Sequence, residues 1–173
     1  PPAYKQGMSP PRAQECAPPL RSPAPRPWHG AALLLCLGLL VYGRCVGFTL
    51  VTGDDWSLIA GNETVTRWAQ APLRARLLTI EFGYPIPVTV ASFALDWALW
   101  QGRAAGLHLT SVLLHLGCAL SLYALLLRRA SVPAALAGAL LLLLHPVQVE
   151  AAAFVTQRKD LLATLFALLA LRG

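Results

Sequence analysis

Val88-Thr89-Val90-Ala91-Ser92-Phe93-Ala94-Leu95-Asp96-Trp97-Ala98-Leu99-Trp100 is the stretch on which the architecture turns. It is apolar on most sides, yet as a helix about 13 residues reach only about 20 Å, against a bilayer core of about 30 Å. Trp97, Trp100 and Asp96 suit a helix lying in the membrane interface. Length and aromatic content therefore favour the interfacial reading. It makes residues 52–106 one extracytoplasmic loop carrying an interfacial helix over about 88–100. A spanning reading would invert every later segment.

On either side lie longer apolar runs. The first, about 31–51, is long enough to cross a bilayer, and no small-residue cleavage site follows it, so it reads as an uncleaved helix rather than a signal peptide. Residues 1–30 ahead of it form a Pro-rich tail with Lys5, Arg12, Arg21 and Arg26 against the single acid Glu15; nothing there can build a core, and it is expected to be disordered and cytoplasmic. Further helices are predicted over about 107–127, ending at Arg128-Arg129, over 132–145 with Pro133 in its first turn, and over 160–173. The chain does not begin with Met and stops inside an apolar run, as the front part of a larger protein would.

Composition agrees. Hydrophobic residues make up 56% of the 173 and charged residues 13%, with a mean hydropathy of +0.56; soluble domains carry roughly twice that charge. The net charge of +6 does not point to nucleic acid, because the 14 Lys and Arg are scattered at the edges of apolar runs. The four cysteines, Cys16, Cys36, Cys45 and Cys118, have no zinc-ligand spacing and read as small packing residues, so no metal is expected. The fold class is all-α, a multi-pass integral membrane protein.

Polar residues gather in two places. Asp54-Asp55 follows the first helix: either Asp54 caps a short helix starting at Trp56, or the pair acts as a general base or holds a hard cation. The second cluster spans residues 144–160. His145-Pro146 ends a helix, Glu150 follows about a turn later, and Arg158, Lys159 and Asp160 precede the last run. Asp160 would cap that run, while two cations at a helix N-terminus oppose its dipole unless a phosphate is held there. His108, Ser111 and His115 share one helical face and read as packing against neighbouring helices. Asn62-Glu63-Thr64 is a glycosylation sequon, relevant only in a eukaryotic secretory setting.

Leu144-His145-Pro146-Val147-Gln148-Val149-Glu150-Ala151, followed by Arg158-Lys159-Asp160, resembles a signature of the transmembrane and tetratricopeptide-repeat proteins, bacterial relatives of the TMTC-type protein O-mannosyltransferases. Asp54-Asp55 is similar to their Asp-Asp after the first helix, Tyr84-Pro85-Ile86-Pro87-Val88-Thr89 to a Tyr-x-x-Pro-[Leu/Val]-Thr segment, and Gly106-Leu107-His108-Leu109-Thr110-Ser111 through His115 to a Gly-x-His-x-x-Asn-x-x-x-His block, with Ser111 in place of the usual Asn. The resemblance runs from about Gly47 to Leu171. It implies a partial GT-C type membrane fold, here as an N-terminal fragment, and a glycosyltransferase moving a sugar such as mannose from a polyprenyl- or dolichyl-phosphate donor to hydroxyls of an acceptor protein. Asp54 or Asp55 would be catalytic, Arg158 and Lys159 would hold the donor phosphate, and His145, Glu150 and Asp160 would stand near the centre. No cofactor is implied beyond that lipid-phosphate sugar. The setting would be a bacterial inner membrane, or the endoplasmic reticulum in a eukaryote. The competing expectation is a non-catalytic membrane anchor for a repeat scaffold that binds other proteins. A transporter is disfavoured, since no carboxylate lies in mid-span of a long apolar run.

Overall fold

The computed structural model describes residues 26–51, 53–78, 80–81 and 83–173, so most of the Pro-rich tail lies outside the described residues. Among the described residues the fold is helical apart from one two-residue antiparallel pair, β1 (Ile80–Glu81) with β2 (Tyr84–Pro85). Four longer helices make a bundle: α1 (Pro27–Tyr42), α5 (Ala104–Leu126), α6 (Val132–Leu144) and α8 (Arg158–Ala170). Short α2 (Glu63–Thr66) and α3 (Leu73–Leu78) and the longer α4 (Pro87–Trp100) lie between α1 and α5; α7 (Gln148–Ala153) joins α6 to α8.

Prolines set three of the starts. Pro27, Pro87 and Pro133 each occupy the first turn of a helix, where the missing N–H is no loss. Thus α1 begins four residues ahead of the apolar run read from the sequence. It continues through a 3₁₀ turn, Gly43–Gly47, and stops there. Among the described residues two helical segments are long and apolar enough to cross a membrane, Pro27–Gly47 and Ala104–Leu126. Leu33, Leu35, Leu39, Leu40 and Val41 stay exposed along α1.

The central helix is α5, which packs against α1, α4, α6, α7 and α8. Its contacts fix the directions of its neighbours. At one end of the bundle the Tyr123 hydroxyl donates to the Pro27 carbonyl (3.0 Å), and at the other Phe48 meets the ring of His108 edge-on. Helices α1 and α5 are therefore antiparallel, and residues 48–103 leave and rejoin the bundle at the same end. Tyr42 donates to the Leu143 carbonyl (2.8 Å), so α6 runs parallel to α1. Arg158 meets the start of α5 and Arg128 donates to the Arg172 carbonyl at its finish, so α8 runs parallel to α5.

Two cores result. The bundle core holds Leu34, Tyr42, Val112, Leu116, Tyr123, Ala139 and Leu143. A second core at the end that carries residues 48–103 holds Leu58, Ile59, Val65, Val90, Phe93, Leu107 and Val155. Within the bundle the approach of α1 to α5 and α6 is close: a side chain at Gly38 would run into Leu116 and press on Leu143. Small residues at helix contacts permit such approach. Replacing Gly38 by Val is expected to cost about 1–3 kcal/mol through overpacking, read as earlier thermal unfolding in detergent, whereas Gly47→Ala, with open space around it, leaves the transition in place.

Candidate functional site

Besides the apolar packing of Leu58 and Ile59 with Val155, a carboxylate bonds the first loop to the segment after α7. Gly53, at φ +119°, adopts a conformation that glycine tolerates, and the chain then enters a helical turn at Asp54 that widens into a π turn over Trp56–Ala60. Successive residues of a helical turn point about 100° apart, so the adjacent acids separate. Asp54 is exposed, and among the described residues its carboxylate has no hydrogen-bond partner. Asp55 is buried: its Oδ2 accepts from Val51 N (2.9 Å) and its Oδ1 from Thr156 N (3.3 Å). The capping role the sequence offered Asp54 falls away, because Asp54 lies within the helical turn; the residue before Trp56 is Asp55, which makes no capping bond, and its side chain ties the first loop to the 3₁₀ turn Val155–Gln157.

The cations of the second cluster part in the same way. Arg158, the first residue of α8, is fully buried, its Nη1 2.6 Å from Asp96 Oδ2. That contact is ionic and lies off the hydrogen-bonding axis, and Nε has no partner. Nη2 donates to the Leu107 carbonyl (2.8 Å) and reaches the Ser111 hydroxyl (3.4 Å), and the guanidinium lies over the Phe93 ring at 4.5 Å. Thr110 Oγ1 donates to the other oxygen of Asp96 (2.9 Å). Asp96, read from the sequence as an interfacial charge on α4, is in fact 3% exposed and the counter-ion of Arg158. A carboxylate on the buried face of a Trp-rich helix is the signal that could have found it, but only with a cation to pair it to.

Lys159 points elsewhere. Half-buried, it donates to Gln157 Oε1 (2.7 Å), while Gln157 Nε2 donates to Glu150 Oε1 (3.0 Å). Glu150 and Asp160 line one shallow polar cavity of about 280 Å³. Asp160 lies in the first turn of α8, where its charge favours the dipole, and it is exposed; the residue preceding that helix is Gln157, which makes no capping bond. His145, also exposed, accepts the Val147 N–H on its own Nδ1 (3.2 Å) and so closes the turn after α6.

The histidines of α5 are both buried but differ. His115 Nε2 pairs with the Leu143 carbonyl (3.1 Å) and stacks edge-on against Tyr42. Among the described residues neither ring nitrogen of His108 has a hydrogen-bond partner. Among the described residues no three of His, Cys, Asp and Glu come together as a metal site requires.

Over 150 residues, 80% of this chain, the sequence is 26% identical to a protein O-mannosyl-transferase of Caenorhabditis elegans. The two are distant relatives. The chain spans 22% of that protein's length. No protein-family profile matches the chain, and no solved structure does.

Two expectations follow from the geometry. Arg158→Met leaves Asp96 buried without its counter-charge and should cost about 3–5 kcal/mol, whereas the double variant Arg158→Met, Asp96→Leu should recover most of that loss; unfolding of the four members of the cycle in detergent measures the coupling. Asp55→Ala strips two backbone amides of their acceptor, about 1–3 kcal/mol for each one left buried. Hydrogen exchange should then show the Thr156 amide losing protection while the amides of mid-α5 keep theirs.

Proposed function

We propose that this chain is a membrane-embedded part of a glycosyltransferase that moves a sugar, mannose by the name of its distant relative, from a lipid-linked phosphate donor to a protein hydroxyl. The observation that carries the reading is the Asp55–Thr156 bond. It puts the acidic first loop and the segment after the His-Pro break at the same end of the bundle, as a site shared between them needs. The likeness to a protein O-mannosyl-transferase gives that site a chemistry.

The adjacent acids divide the work. Asp54, exposed and unengaged, is the general base: it takes the proton of the acceptor hydroxyl as that oxygen bonds to the anomeric carbon. The bond from that carbon to the phosphate oxygen breaks, and the phosphate leaves with the electron pair. Asp55 is a positioning residue that fixes the loop carrying Asp54. Arg158 is likewise a positioning residue, since its charge is turned to Asp96. Of the two neighbouring cations, only Lys159 stands outside the core. Helices α1 and α5 would cross the membrane, with the tail on the cytoplasmic side and residues 48–103 on the other.

A non-catalytic anchor is the second reading. The buried polar groups Asp55 and Arg158 are both spent on internal contacts, which is all that an anchor would ask of them. Transfer of radiolabelled sugar by the full-length protein separates the two. Asp54→Asn is expected to lower kcat at least about a hundredfold with the fold intact, the usual scale of general-base catalysis. Unchanged transfer by that variant would remove the base, and no transfer by the unaltered protein with any prenyl-phosphate sugar would leave the anchor.

A further inference from the structure

His108 is 2% exposed, and among the described residues both of its ring nitrogens lack partners. The backbone of Thr49 and Ala153 lies close to the ring without reaching hydrogen-bond geometry. A buried polar group left unsatisfied is costly and calls for an explanation. Here the ring borders a cavity of about 410 Å³, walled by Phe48, Thr49, Val51, Ala153 and Phe154. That volume lies in the range of small-molecule sites, and apolar walls around one polar anchor are their usual make-up. Phe48 and Phe154 are each more than two-fifths exposed, so the walls offer open aromatic surface.

The lining selects the occupant. None of the residues that wall the cavity carries a fixed charge, so nothing there offsets the hydration an ion would lose on entering. A neutral group fits. A neutral imidazole presents one donor and one acceptor, and a hydroxyl can answer either. A ring with apolar C–H faces and hydroxyl edges satisfies the walls and the floor together.

We propose that this cavity is a sugar subsite in which His108 hydrogen-bonds hydroxyls of a hexose whose C–H face lies against Phe48 and Phe154. The inference rests on the glycosyltransferase reading and deepens it by giving the donor's sugar a place, one that the sequence motifs around Asp54 and Arg158 do not supply. It leaves the phosphate outside the cavity.

The test is binding, independent of transfer. The full-length protein in nanodiscs is irradiated with a diazirine-bearing octyl mannoside, and the labelled peptides are mapped by mass spectrometry. Label is expected on residues 47–51 and 153–154, competed by methyl mannoside. His108→Ala should reduce it about tenfold, the scale of one or two lost hydrogen bonds. Val51→Trp alters a half-exposed wall residue and should block the cavity without entering the core, so it serves where His108→Ala disturbs packing; the protection of the Thr156 amide reports whether the fold is kept. Equal labelling by the octyl diazirine without its sugar, label elsewhere in the chain, or labelling indifferent to both substitutions would overturn the subsite. Those outcomes leave the transferase reading to its own assay on Asp54, and an inactive Asp54→Asn variant that still takes the label separates the two from the other direction.

Discussion

A guanidinium without access to solvent must be neutralised where it lies, and Arg158 finds its counter-charge on Asp96. The pair joins the start of α8 to α4, and through the Leu107 carbonyl and Ser111 it also joins both to α5. Its net worth over apolar residues of the same size is small, because each ion gives up hydration worth several kcal/mol. Its effect is on arrangement. If α4 lay anywhere else, or α8 began one residue later, an ion would remain in the core without its partner. Packing of Phe93, Val90 and Val155 would be satisfied by several neighbouring placements; the charge admits one.

From that constraint the rest of this end of the molecule follows. With α4 held against α5 and α8, Leu58, Ile59 and Val65 close over Phe93 and Val155 to form the second core. The turn beginning at Asp54 is laid beside the Val155–Gln157 turn, and Asp55 takes the Thr156 amide that the change from α7 to α8 leaves without a helical partner. Asp54, one residue earlier, is left facing outward. The segregation of one acid from the other is thus a consequence of helical geometry at a place where two chain segments need a common acceptor.

The helices are largely legible in the sequence because their signals are local: apolar runs of sufficient length, prolines at first turns, and the His145-Pro146 stop. The observed bounds of α4, Pro87–Trp100, differ from the apolar stretch by one residue. The end of α1 differs more, because Gly43–Gly47 tightens into a 3₁₀ turn and the chain straightens at Phe48, several residues before the apolar run ends. The partners of the charges are not legible. Arg158 beside Lys159 reads as a cationic pair, but a helix turns about 100° per residue, and nothing local says which of them faces the core. Asp96 among tryptophans reads as interfacial for the same reason. His108 and His115 share a stripe, and the sequence assigns both to packing; that holds for His115, which meets the Leu143 carbonyl, whereas His108 faces a cavity formed by segments far away in the chain.

The relay Glu150–Gln157–Lys159 shows how the outer cluster differs from the inner one. Exposed ion pairs and hydrogen bonds between long side chains contribute little, because water competes for both partners and side-chain entropy opposes the fixed geometry. Lys159 is therefore free to exchange Gln157 for another acceptor at small cost, while Arg158 cannot leave Asp96 without exposing a buried charge to an apolar surrounding. Of two adjacent cations, the one that can respond to an arriving anion is the one that contributes least to stability. The same logic applies to the acids: a group arriving at the exposed Asp54 carboxylate displaces no internal bond, whereas Asp55 cannot turn its oxygens away without freeing the Val51 and Thr156 amides. At both places the outward-facing residue and the buried one that anchors its segment are neighbours in sequence, separated by which way one helical turn faces.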